Sequence, residues 1–552
     1  MQYIALHLRP KAITCLLKGE EMLGLSSADH RCSPPILDIP REYNAAHDLI
    51  ERNLRAGRHR KIAYIDDAGA YSYQDLARRV SQCANALIGL GLQPEQRILV
   101  CLQDTIDFPT VFLGAIKAGI VPVAVNTLLK TADYDYMLRD SRARALLVSG
   151  SLLPAFTPVL HECPHLQHVV VSHGENTGFK SLGELLAGAA PEFEPAVTCC
   201  DDPCFWLYSS GSTGAPKGTV HVHASLIQTA ELYARPILGL RESDVIFSAP
   251  KLFFAYGLGN GLTFPLAVGA TAVLMAERPT PDAVLARLQQ HKPTVFGGVP
   301  TLYAAMLAGK LPPRATTALR TCISAGEALP REIGERWKRH FDVDILDGIG
   351  STEMLHIFLS NRPGEVCYGT TGSPVPGYQL RLVDDEGQPV AAGHIGELQI
   401  CGPTRAHAYW NNREKTSQTF LGSWIRSGDK YYVDEKGHYV YAGRSDDMLK
   451  VSGIYVSPAE VESALISHPA VLEAAVIGAE DADGLIKPLA CVVVNSSARP
   501  SPALAEQLKQ HVKALLAPHK YPRRIEFLEE LPKTATGKIQ RFKLRELYAC
   551  HS

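Results

Sequence analysis

Apolar residues recur at every third or fourth position over Tyr73–Leu90, the spacing that covers one side of a helix. The chain then turns to the largely apolar run Arg97–Gln103 (RILVCLQ), which reads as a buried strand. The alternation continues with a helix at Val111–Lys117 and strands at Val121–Val125 and Ala145–Val148. It returns with helices at Ser225–Leu238 and Ala283–Gln290 and strands at Val245–Ala249, Thr271–Met275 and Val295–Gly297. Helices alternating with short apolar strands predict α/β sheets whose strands run mostly parallel.

After Tyr378 the pattern changes. Gln379–Val383, Gly396–Cys401 and His438–Tyr441 read as short strands parted by Gly, Asp and Pro turns, a β-rich subdomain. The last stretch reads as helix (Ala459–Ser467), two strands (Ala474–Gly478, Pro488–Val494), helix (Ala503–Leu516) and strand (Arg524–Phe527), a small α+β unit. The expected division is a loose extension at 1–33, a large domain at 34–443 and a small C-terminal domain at 444–552. Met22 offers an alternative start within the extension, a reading that an intact mass beginning at Met1 would remove. From Leu252 to Ala276 no charged residue occurs, a length able to span a bilayer. Four glycines, Asn260 and Pro265 interrupt it, so it is expected to be a buried loop leading into a core strand.

Composition narrows the class. The 552 residues carry 55 Lys plus Arg against 57 Asp plus Glu, with 20% charged and 46% hydrophobic residues. That excludes a disordered or collagen-like chain and allows roughly two to four folding units. A net charge of -2 supplies no electrostatic reason for nucleic acid or an anionic membrane as the main partner. Thirteen cysteines, an odd count at low density, point to reduced thiols in a cytoplasmic protein. Either a monomer or a homodimer is expected. Polar residues break Met1–Gly24 too often for a signal peptide. Cys199, Cys200 and Cys204 lack a companion histidine or second CxxC and read as incidental thiols. His161-Glu-Cys-Pro-His165 has the letters of a zinc-protease helix, but Pro164 breaks the helix that such a site requires.

Four segments carry chemistry. Tyr208–Gly218 (YSSGSTGAPKG) packs three glycines, three serines, a threonine and Lys217 together. Glycines let backbone N–H groups face an anion, hydroxyls add donors, and the lysine adds charge. The same composition also suits a flexible surface loop. Asp347–Glu353 (DGIGSTE) offers close backbone approach and an oxygen-rich edge suited to Mg²⁺-phosphate. Ser427-Gly-Asp429, followed by Gly443-Arg-Ser-Asp446, places a carboxylate that can take both hydroxyls of a ribose. Pro532–Lys538 (PKTATGK) is a Gly/Thr loop able to present Lys538 to a phosphate.

In this order, with Ser324–Leu329 (SAGEAL) and Gly443–Gly453 (GRSDDMLKVSG), the segments resemble the adenylate-forming superfamily of acyl-CoA synthetases, luciferases and peptide-synthetase adenylation domains. The resemblance covers roughly residues 40–545. It implies two half-reactions: a carboxylate attacks ATP to give an acyl-adenylate and pyrophosphate, and coenzyme A then displaces AMP. By similarity Ser209, Ser210, Ser212, Thr213 and Lys217 grip the phosphates. Glu353 holds Mg²⁺ and Thr352 faces the α-phosphate. Gly326, Glu327 and Asp347 meet adenine, and Asp429 with Arg444 meets the ribose. Lys538 drives adenylation from a mobile small domain that turns about Asp446, bringing a second face with Lys450, Ser452 and Gly453 to the thioester step. Ile349 stands where this family often has an aromatic residue.

Further segments are closely similar to benzoate-CoA ligases: Lys251–Asn260, Ser351–Phe358, Gly369–Gly377 and Ala517–Pro522. That similarity implies an aryl slot lined by Ala255, Tyr256 and Gly257, with His356 and Ile357 on its floor. A flat ring needs small residues to admit it and apolar walls to cover it. Hydroxybenzoate, aminobenzoate or a medium-chain acid as substrate, and a carrier-protein thiol as acceptor, remain alternatives at this level.

Overall fold

The computed structural model describes residues 23–174, 177–209, 215–445, 447–451, 454–480, 486–496, 498–517, 520–533 and 539–549. The α/β reading holds. An eight-stranded sheet runs in the order Ala408–Tyr409, Lys217–Val222, Pro203–Ser209, Val121–Ala124, Arg97–Cys101, Ala145–Ser149, His168–Ser172, Lys180–Ser181. A nine-stranded sheet has the parallel centre Ile345–Gly350, Thr321–Ser324, Val295–Gly298, Val245–Ser248, Thr271–Val273, Ile62–Asp66.

The helix Asp107–Lys117 is buried along nearly its whole length. A helix apolar on all sides belongs inside a core, and this one shares a single cluster with residues from both sheets. It packs closely on the helix Tyr73–Gly89, where a Cβ on Gly114 would come 2.7 Å from that of Cys83. Gln379–Val383, Gly396–Cys401 and Tyr439–Arg444 form the expected β-rich subdomain, joined antiparallel by the strand Trp424–Val433, which the sequence reading did not include. Residues from Leu449 onward build two apolar clusters of their own around the strands Val471–Glu480, Ile486–Val494 and Arg524–Phe527.

Two expectations are corrected. Leu252–Ala276 is not a loop: Ala255–Leu258 and Phe264–Val268 are helical, joined by the wider π turn Gly259–Thr263, before the strand Thr271–Val273. Its glycines serve clearance rather than chain breaking. A Cβ on Gly257 would collide with the Lys251 carbonyl, and one on Gly259 with the His356 ring. Tertiary packing here overrides the weak helix propensity of glycine. The segment 23–33, expected to be loose, is docked. Ser27–Asp29 pairs with Ile36–Asp38, Ser26 Oγ donates to Asp48 Oδ2 at 2.5 Å, and His30 Nε2 lies 2.7 Å from Glu231 Oε2. Short polar side chains, invisible to periodicity, make these anchors; residues 1–22 lie outside the described residues.

Candidate active site

The first motif sits on a β-hairpin. Pro203–Ser209 and Lys217–Val222 pair antiparallel, with Ser209 opposite Lys217. Ser210, Ser212 and Thr213 lie outside the described residues. Facing the hairpin, Ser351 caps the short turn Thr352–Met354, its Oγ accepting from Met354 N at 3.2 Å. The turn is pinned from three sides. The Thr352 carbonyl accepts from His221 Nε2 at 2.7 Å, the Glu353 carbonyl from Ala406 N at 2.8 Å, and the Met354 carbonyl from Thr404 Oγ1 at 2.8 Å.

Glu353 thereby meets the hairpin. Its Oε1 accepts from Tyr409 OH at 2.7 Å and from Ser209 Oγ at 3.3 Å. Lys217 Nζ reaches Tyr409 OH at 3.3 Å and stands 4.4 Å from that ring's centre. Burial lowers the Lys217 ammonium from its ordinary range, while the Glu353 carboxylate opposes the shift. Lys217 and Glu353 are thus joined through Tyr409, which belongs to none of the motifs, while Ser209 meets Glu353 directly. His221 was also missed. A lone histidine on an apolar strand carries no signal in the sequence, yet burial holds it neutral, at about 4. Since a carbonyl only accepts, its Nε2 carries the proton.

The chain then reverses sharply. Leu355 takes φ 65°, rare for a residue with a side chain, and His356 N–H donates to the Met354 carbonyl at 2.8 Å. This directs His356 onto the helix Ala255–Leu258, where its Nε2–H donates to the Tyr256 carbonyl at 3.3 Å. Its ring centroid stands 4.5 Å from Phe264, 5.5 Å from Tyr233 and 5.6 Å from Tyr256. Among the described residues its Nδ1 has no partner. Ile357 is buried and pairs opposite Gly350. Ala255, Tyr256, Gly257, His356 and Ile357 are therefore brought together.

Asp347 is buried within the strand Ile345–Gly350, opposite Ser324, and burial raises its carboxyl well above the usual range. Gly326 takes φ 97°, open to glycine, and precedes Glu327. Glu327 Oε1 accepts from the Ile539 N–H at 3.0 Å, so the residue that follows Lys538 in sequence touches the predicted adenine site. Asp429 Oδ1 accepts from Arg444 Nη1 at 3.1 Å across paired strands. Lys538, Asp446 and Gly453 lie outside the described residues, as does the side chain of Lys450. Away from the site, Cys199, Cys200 and Asp201 bring donor atoms within 4.8 Å of one another, with Arg41 paired to Asp201. No described helix is long and apolar enough to cross a membrane.

Burial pushes the His356 imidazole from 6.5 down to about 3. The unfolded chain therefore takes up this proton first as the pH falls. The stability that depends on it is complete above pH 6.5 and is lost toward pH 3. In urea unfolding, the advantage of the wild type over His356→Gln should shrink by on the order of 2 kcal/mol between pH 7 and pH 5. An advantage independent of pH would show that the imidazole is not held neutral.

Comparison with known proteins agrees with this geometry. The model for the AMP-binding enzyme family matches residues 50–410, and that for the AMP-binding enzyme C-terminal domain matches residues 460–538. The chain is 66% identical over 527 residues to a benzoate--CoA ligase of Thauera aromatica, covering 95% of this chain and 100% of that protein. It is 51% identical over 513 residues to a 4-hydroxybenzoate--CoA/benzoate--CoA ligase of Rhodopseudomonas palustris, covering 92% and 94%. Its fold is similar to the crystal structure of a benzoate CoA ligase from Burkholderia xenovorans LB400, with TM-score 0.86 and 59% identity over 91% of this chain and 100% of that one.

Proposed function

The chain belongs to the AMP-binding enzyme family, and from that premise we propose that it is an ATP-dependent benzoate-CoA ligase. It converts benzoate, ATP and coenzyme A to benzoyl-CoA, AMP and pyrophosphate through an acyl-adenylate. The observation that carries this reading is 66% identity across the full length of a relative of that name.

The site residues fit the chemistry. Step one brings a carboxylate against a polyphosphate, two anions whose repulsion must be offset by donors and cations. Ser209 and Lys217 at the hairpin end bind the phosphates, with Ser210, Ser212 and Thr213 on the loop between them. The turn carrying Thr352 and Glu353 is held rigid by His221, Ala406 and Thr404, so its oxygens do not have to reorganise during reaction. The donor set of Glu353, Ser209 and Tyr409 is all oxygen, the hard ligand type that suits Mg²⁺. When bound, Mg²⁺ would neutralise phosphate charge there, with Glu353 as its protein ligand. Asp429 and Arg444 take the ribose, and Gly326, Glu327 and Asp347 the adenine. Neutral His356, packed among Phe264, Tyr233 and Tyr256, gives an uncharged floor to an aryl ring. Residues 444–552 form a lid that delivers Lys538 for the first step and Lys450 and Gly453 for the second, turning about Asp446.

A panel of benzoate, 4-hydroxybenzoate, 2-aminobenzoate and hexanoate, read by CoA-dependent AMP release, tests the substrate. Benzoate should give the highest kcat/KM. A clear preference for hexanoate would remove the aryl reading, and AMP release without free CoA would redirect it toward a carrier-protein acceptor.

A further inference from the structure

Lys217 and Glu353 carry opposite charges and lie close enough for the carboxylate to act on the ammonium, yet among the described residues no ion pair joins them. A half-buried lysine and a carboxylate ordinarily close on each other, because attraction between charges strengthens as water is excluded. Lys415 and Arg444 add like charge around Lys217, which makes a partner anion more favourable still.

The Tyr409 hydroxyl stands between the two. It donates its one proton to Glu353 Oε1 at 2.7 Å, since a carboxylate only accepts. Its oxygen accepts from Lys217 Nζ at 3.3 Å, and the Thr419 hydroxyl acts on the same phenol. One donor and two acceptor sites exhaust what a phenol offers. Burial and the neighbouring Glu353 raise this phenol above its ordinary range, so it keeps its proton. The ring is fixed without help from the hydroxyl. Tyr409 is 4% exposed and pairs with Thr219 on the second strand of the hairpin. Its N–H donates to Thr416 Oγ1 at 3.1 Å, and the Trp410 N–H donates to the Gly218 carbonyl at 2.7 Å. Phe420 packs edge-on against the ring, with centroids 5.3 Å apart. The ring face also attracts the Lys217 ammonium, a second hold that competes with Glu353.

We propose that Tyr409 is a positioning residue whose hydroxyl keeps Lys217 and Glu353 from pairing with each other, so that the ammonium stays available to the phosphates of ATP and the carboxylate to their metal. Without the hydroxyl the two charges close into an ion pair, which must then break each time the nucleotide binds. This rests on the ligase reading of the site and adds a residue that acts through two others.

The test measures equilibrium binding of ATP by calorimetry, at saturating Mg²⁺ and without benzoate or coenzyme A, on the wild type, Tyr409→Phe, Glu353→Gln and the double variant. Tyr409→Phe keeps the ring and removes only the hydroxyl. It should raise the Kd for ATP roughly tenfold, the scale of one hydrogen bond to a charged group, while KM for benzoate stays within about threefold. In the Glu353→Gln background no carboxylate remains to capture Lys217, so the same change should alter Kd by less than about twofold. A crystal structure of Tyr409→Phe should bring Lys217 Nζ within about 4 Å of a Glu353 oxygen, and it decides the matter even if that variant melts earlier. An equal rise of Kd in both backgrounds would mean that the phenol binds the nucleotide itself or only supports the fold, and would overturn the proposal. So would an unchanged Kd in Tyr409→Phe, or a Lys217 that stays clear of Glu353 in its crystal structure. Failure of the wild type to bind ATP would instead sink the ligase reading itself.

Discussion

Lys538→Ala should lower the rate of adenylate formation by roughly 10²–10³-fold, the effect typical of removing one preorganised charge-stabilising group from a transition state. The same variant should make benzoyl-CoA from pre-formed benzoyl-adenylate at close to the wild-type rate. The expectation follows from chemistry and from one contact. The attacking carboxylate and the α-phosphate both carry negative charge, and a lysine that bridges them offsets the repulsion only while it is in place. The Ile539 N–H donating to Glu327 Oε1 at 3.0 Å ties the chain next to Lys538 to the proposed adenine site. Single-turnover assays of the two half-reactions separate the cases. Equal loss in both would mean that Lys538 has no special part in the first.

Asp446→Pro should do the reverse, leaving adenylation largely intact and stopping thioester formation. Proline fixes φ at about −65° and restricts the residue before it, so a rotation centred on this position would be blocked. The flanking chain is anchored on both sides. Ser445 N–H donates to the Gly428 carbonyl at 2.9 Å, and Asp447 Oδ1 accepts from Arg545 Nη1 at 2.7 Å. Between two such anchors a change of domain orientation has few backbone bonds to use. Pyrophosphate release without CoA-dependent product is the expected signature, and normal overall turnover would contradict a hinge at Asp446.

Much of the site was legible because its chemistry is local in sequence. A run of glycines, hydroxyls and a lysine suggests an anion cradle by composition alone; the strands Pro203–Ser209 and Lys217–Val222 that flank it were not read from the sequence. The strands Gln379–Val383, Gly396–Cys401 and Arg524–Phe527 were readable to the residue, since alternation bounded by turns is a short-range signal. The helix over 255–268 was not. Its glycines looked like breakers, whereas three-dimensional neighbours at Lys251 and His356 require the absence of a Cβ.

The amino-acid sequence by itself determined the α/β class, the order of the motifs and the composition of the Tyr208–Gly218 segment, because each depends on neighbours a few positions apart. Tertiary structure alone decided which side chains complete them. Tyr409 reaches Glu353 across 56 positions because its strand pairs with the hairpin's second strand. His221 holds Thr352 across 131 positions, and the segment around Ser26 and His30 docks onto Asp48 and Glu231. Such contacts are set by how sheets and helices close on one another, a property of the folded chain that no local pattern encodes.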